Sequence, residues 1–74
     1  MEVIYRNIIE TSRFSVITAE LYSYKYQKHI YETFILNKLD HPVTSKVSLT
    51  IDEAYLCHIQ MYEEWQKDET YYSK

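Results

Sequence analysis

The chain of 74 residues contains no glycine. Phosphate-cradling loops and tight hairpin turns use glycine where φ must be positive, so P-loops and dinucleotide-binding fingerprints are excluded. Cysteine is nearly absent too. Cys57 alone cannot build an internal disulfide framework or a cysteine set for structural zinc, which makes reducing cytosol the expected compartment. No long uncharged apolar run is present, so a membrane span is not expected, and residues Met1 to Asn7 lack the basic-then-apolar pattern of a secretory signal. Excess charge of either sign is missing as well. Eight Lys or Arg against eleven Asp or Glu leave a net charge of −3. That balance argues against direct nucleic-acid binding, although Lys25, Lys28 and His29 could form a local basic patch, and it is too weak for a DNA mimic.

What is present is apolar and aromatic. Hydrophobic residues make up 46% of the chain and aromatic residues 16%, among them nine tyrosines, which suits a folded domain rather than a disordered chain. The expectation is one domain over residues 1–74, with 68–74 as a polar, flexible tail carrying Tyr71 and Tyr72. A domain this small buries only about 60% of the surface its unfolded chain exposes, so a homo-oligomer is expected to be one route to stability.

Hydrophobic periodicity predicts an α+β fold: a small antiparallel sheet of three or four strands followed by one amphipathic C-terminal helix. The single proline, Pro42, ends the stretch Asn37 to Pro42, the clearest turn signal. Thr50 and Glu53 have capping-box spacing, so the helix should start at Ile51. From there Ile51, Ala54, Tyr55, His58, Met61, Tyr62 and Trp65 recur at helical steps, opposite Asp52, Glu53, Gln60, Glu63, Glu64 and Lys67. Val43 to Leu49 alternates with period two, and His29 to Leu36 is rich in aromatic and β-branched residues. In the latter strand Ile30, Glu32, Phe34 and Leu36 share one side, and Tyr31, Thr33 and Ile35 the other. Phe14 to Tyr26 reads as a long or bent strand. Residues 1–10 suit a strand or a helical turn, and we read them as a strand.

Two segments carry a resemblance. Tyr31-Glu32-Thr33-Phe34-Ile35-Leu36, followed by Thr50-Ile51-Asp52-Glu53-Ala54-Tyr55-Leu56-Cys57-His58, resembles a group of short uncharacterised tailed-bacteriophage proteins. That group has a strand with a Tyr-Glu-Thr motif and a helix start reading Thr-x-x-Glu-Ala-x-x-Gly-His. Val16, Ile17 and Thr18 fit the group's first strand, so the resemblance spans residues 16–65. Cys57 stands where the group usually has glycine, Phe34 where it has methionine, and the group's Gly/Pro-rich loop before the second strand is missing. The resemblance implies phage origin and a small accessory role in the host cytoplasm, with no activity attached.

Candidate chemistry is sparse. Glu32 and His58 are polar positions within apolar faces; a helix packed on the Ile30, Phe34 and Leu36 side would bring them together as a buried polar pair, structural or functional. His29, His41, Cys57 and His58 lack metal-ligand spacing, and adjacent helical residues point about 100° apart, so neither metal nor other cofactor is expected. No catalytic nucleophile stands out, and an enzyme is not expected. Tyr22, Tyr24 and Tyr26 alternate with Ser23, Lys25 and Gln27 as a one-sided ladder, which serves either a partner-binding surface or cross-strand packing. Leu56 projects from the polar side of the helix and is a second partner-binding candidate. These features lead to two expectations. The first is a non-catalytic phage protein that binds and inhibits a host or defence-system protein, of anti-CRISPR or other anti-defence type. The second is a homo-oligomer that binds a small nucleotide-like signal between subunits.

Overall fold

The computed structural model describes the backbone of residues 1–10 and 13–72, with side chains through Gln66. Four strands precede one helix: β1 (Glu2–Ile9), β2 (Phe14–Ser23), β3 (Lys28–Leu36), β4 (Pro42–Ser48) and α1 (Ile51–Tyr72). The strands form one antiparallel sheet in the order β1-β2-β3-β4, each paired with its neighbour in sequence. The fold is therefore α+β, a β-meander with a helix laid across it.

Each connection solves its turn without glycine. Arg13, Gln27 and Asp40 all take positive φ, at 62°, 55° and 61°. A side-chain-bearing residue in this left-handed region costs about 1–2 kcal/mol, least for Asp and Asn. Local hydrogen bonds hold the turns in compensation. Arg13 N–H donates to the Ile9 carbonyl at 2.8 Å, and Tyr26 N–H donates to Ser23 Oγ at 3.2 Å. In the β3–β4 turn Asn37 Oδ1 accepts from both Leu39 N–H and His41 N–H, at 2.9 and 3.0 Å.

Helix α1 starts at the expected residue. Glu53 N–H donates to Thr50 Oγ1 at 3.2 Å, and the Glu53 carboxylate accepts from Leu49 N–H at 3.4 Å, one residue earlier than in a reciprocal capping box. The helix extends for 22 residues, so positions 68–72, expected in a tail, continue it; residues 73 and 74 lie outside the described residues. Among the described side chains of α1, through Gln66, the buried positions are Ala54, His58 and Met61. Ile51 and Tyr55, expected on the inner stripe, are about half exposed.

The register assigns every strand side chain to a face. The helix covers the face carrying Ile9, Phe14, Val16, Thr18, Thr33 and Ile35, where Ile9, Val16, Ile35 and Met61 form the core beside Phe14, Cys57, Tyr62 and Trp65. An extra residue at Ile4 resets the alternation of β1, so Val3 pairs with Ala19 on one face and Tyr5 with Thr18 on the other. The face away from the helix carries Val3, Ile8, Ile17, Ala19, Leu21, Ile30, Phe34, Leu36 and Val47. Among the described residues no element packs on it.

Candidate functional site

His58 is the centre of a polar chain, buried at Thr18 and Thr33 and open to solvent at Asn7, that ties the helix to the sheet. Its Nε2 lies 2.7 Å from Asn7 Oδ1 on β1, and its Nδ1 lies 2.9 Å from Thr18 Oγ1 on β2. Thr18 Oγ1 in turn lies 2.7 Å from Thr33 Oγ1 on β3. Thr18 and Thr33 are Cα partners in the ladder, which sets the two hydroxyls side by side under the helix. The amide oxygen of Asn7 can only accept, so Nε2 carries the imidazole proton. Nδ1 then accepts from the Thr18 hydroxyl, and Thr18 Oγ1 accepts from the Thr33 hydroxyl. Every member is satisfied with His58 neutral. Desolvation by burial agrees with this state, because it lowers the His58 pKa below its usual 6.5.

The rings around this chain are aromatic. Tyr5 sits 5.6 Å from the His58 imidazole and 5.7 Å from Tyr55, edge-on to the latter. With both nitrogens engaged and only 4% of the residue exposed, His58 acts as a registry device joining α1, β1 and β2.

The expected partner of His58 was Glu32, and here the structure corrects the reading. The helix lies on the Tyr31, Thr33 and Ile35 side of β3, so Glu32 points away from it with Ile30, Phe34 and Leu36. Glu32 instead accepts from Ser45 Oγ of β4 at 2.8 Å. Asn7, Thr18 and Thr33 were missed by sequence reasoning. The available signal was the shared alternation of Thr18 with Val16 and of Thr33 with Ile35, which placed polar side chains on apolar faces that also needed hydrogen-bond partners.

The tyrosine series does not form a strand ladder. β2 ends at Ser23, and Tyr24 to Gln27 make the four-residue connection closed by the Ser23–Lys28 pair. Tyr22 stays on the sheet, edge-on to His29 across the ladder at 5.5 Å and to Tyr24 at 5.2 Å. Tyr24 is 88% exposed, and Tyr22 and Tyr26 are about half exposed. Lys25 Nζ lies 5.4 Å from the Tyr26 ring centroid, close enough for a cation–π contact. The three tyrosines thus collect at one hairpin end of the molecule, outside the core.

Leu56 is 60% exposed and lines an open groove of about 500 Å³ with Tyr5, Ile51, Asp52 and Tyr55. A second open depression, of about 330 Å³, lies beside Tyr22 and is lined by Met1, Glu2, Glu20, Leu21 and His29. Glu20 Oε1 approaches His29 Nδ1 at 3.4 Å there. Among the described residues no group of three or more His, Cys, Asp or Glu is placed to hold a metal ion, and no helix is long and apolar enough to cross a membrane. No protein-family model, curated protein or solved structure matches the chain.

Proposed function

We propose that this chain is a non-catalytic interaction protein that binds another protein through the aromatic β2–β3 hairpin end. The observation that carries the reading is the group of Tyr22, Tyr24 and Tyr26 at one hairpin end, all exposed, with the rings of Tyr22 and Tyr24 edge-on to each other and Lys25 over the ring of Tyr26. Tyrosine gives large contact area with few rotatable bonds, and this cluster stands where it can enter a partner's surface without disturbing the core. In its specific form the proposal is a phage protein acting in the host cytoplasm that binds and inhibits a host or defence-system protein, of anti-CRISPR or other anti-defence type. That form is supported by the resemblance of the Tyr31 to Leu36 and Thr50 to His58 segments to phage proteins.

The test is capture from host lysate followed by binding measurements with the purified captured protein. Tyr22→Ala/Tyr24→Ala should weaken binding by about 2 kcal/mol or more, roughly thirtyfold, because central aromatics carry the largest truncation costs in interfaces. The far-ultraviolet signal and thermal midpoint should stay close to those of the parent chain. Binding that survives this variant but falls with Leu56→Glu would move the contact to the groove beside Tyr5. Binding that survives both would end the proposal.

A further inference from the structure

The sheet has two apolar faces and only one helix. An antiparallel sheet with one solvated side normally alternates apolar inward with polar outward. Here the positions turned away from α1 include Val3, Leu21, Phe34, Leu36 and Val47, while the positions under α1 include Thr18, Thr33 and Asn7. The more apolar face is the uncovered one. We infer that a second copy of this chain covers it, joining two sheets face to face in a symmetric dimer with one helix on each outside.

Three observations select a second copy rather than a foreign protein. The first is charge. On this face Arg6 of β1 and Glu32 of β3 are the charged residues between the strand ends, one of each sign, with Lys28 at the end of β3, so the face does not share the negative balance of a chain that carries −3. Surfaces elsewhere on two copies repel; this one does not. The second is placement. Arg6 is opposite Ile17 and Glu32 is opposite Ala19, so the two charges flank the same stretch of β2 from opposite sides. A two-fold axis crossing β2 between Ile17 and Ala19 carries Arg6 of one copy onto Glu32 of the other, and does so twice. The strands of the two sheets then cross steeply, as in orthogonal sheet packing.

The third observation is area. Four strands about 4.8 Å apart and about eight residues long, at about 3.3 Å per residue, present roughly 500 Å² in projection. Sheets that cross steeply share roughly 400 Å² of that projection, so two copies bury roughly 800 Å² before side-chain relief is counted, at the low end of interface sizes. The centre of the face is already shielded within one chain, with Ile17 and Ile30 each 6% exposed and Ala19 fully buried, and its open apolar surface lies toward the edges. Ile8 and Val47, on the two edge strands, are 55% and 53% exposed, and Arg6 has no ion-pair partner among the described residues.

Sedimentation or light scattering at micromolar concentration tests the inference, with the expected mass twice the 9.1 kDa of one chain. Ile8→Lys/Val47→Lys changes only exposed side chains, so it should give the monomer mass with an unchanged far-ultraviolet spectrum. Arg6→Glu and Glu32→Arg should each shift the mass toward monomer, and the double swap should recover the dimer. Tyr22→Ala/Tyr24→Ala should leave the mass alone, which separates this inference from the hairpin proposal. A monomeric parent chain would overturn it, as would a dimer indifferent to the two lysines, a double swap no better than the single ones, or a monomer whose apolar face is taken by a foreign protein.

Discussion

Replacing Thr18 with valine tests the proton order of the polar chain, because the single Thr18 hydroxyl both donates to His58 and accepts from Thr33. Valine keeps the shape and removes the hydroxyl. His58 Nδ1 then loses its donor, and the Thr33 hydroxyl loses its acceptor, in a site where Thr18 and Thr33 are fully buried. Each orphaned group costs about 1–3 kcal/mol, offset in part by the apolar carbon gained, so the net loss should be about 2–3 kcal/mol. A chain of this length has a total stability of about 4–11 kcal/mol. The loss should lower the thermal midpoint by about 10–20 °C. Thr33→Val is different: Thr18 can still donate to His58, only one hydrogen bond disappears, and the cost should stay within about 1 kcal/mol. The double variant leaves Nδ1 as the single orphan, so it should be more stable than Thr18→Val alone, with coupling beyond about 0.5 kcal/mol. Urea midpoints of the four proteins decide the matter. Equal costs for the two single changes, or additive costs in the double, would refute the assigned donor order.

The remaining predictions use the same measurement. Burial lowers the His58 pKa, so below about pH 6.5 the unfolded chain binds the proton that the folded chain refuses. This contribution is complete above the unfolded value and is lost as pH falls toward the lowered folded value; His58→Gln should reduce the pH dependence across that window, and an unchanged profile would count against the buried neutral imidazole. Gln27→Gly should stabilise the domain by about 0.5–1 kcal/mol by relieving the left-handed backbone, net of the added freedom of the unfolded chain, and Asp40→Gly should gain less. A larger gain at Asp40 would contradict the strain argument. Thr50→Ala should cost about 0.5–2 kcal/mol through loss of the helix cap, and an unmoved midpoint would remove that cap from the account.

Local information was enough for the architecture. The period-two alternation of residues 43–49, the turn chemistry of Asn37 to Pro42 and the Thr50 to Glu53 spacing each depend on neighbours within one element, and together they determined a sheet followed by a helix starting at Ile51. Local information also misled at the Tyr22, Tyr24 and Tyr26 series. Alternation there matches a strand, yet the chain reverses after Ser23, and no glycine marked the left-handed residue that permits it.

Only the tertiary structure decided which face the helix covers. β3 offers two apolar sides, one with Ile30, Phe34 and Leu36 and one with Tyr31, Thr33 and Ile35, and period two ranks neither above the other. The choice depends on partners distant in sequence: Asn7 is 51 residues from His58, and Thr18 is 40. Burying His58 requires a donor and an acceptor at the correct spacing, and only the face bearing Asn7 and Thr18 has been shown to supply both. Hydrophobic pattern measures how much surface wants cover. The hydrogen-bonding groups, brought together by the meander, determine which surface receives the helix and which is left without it.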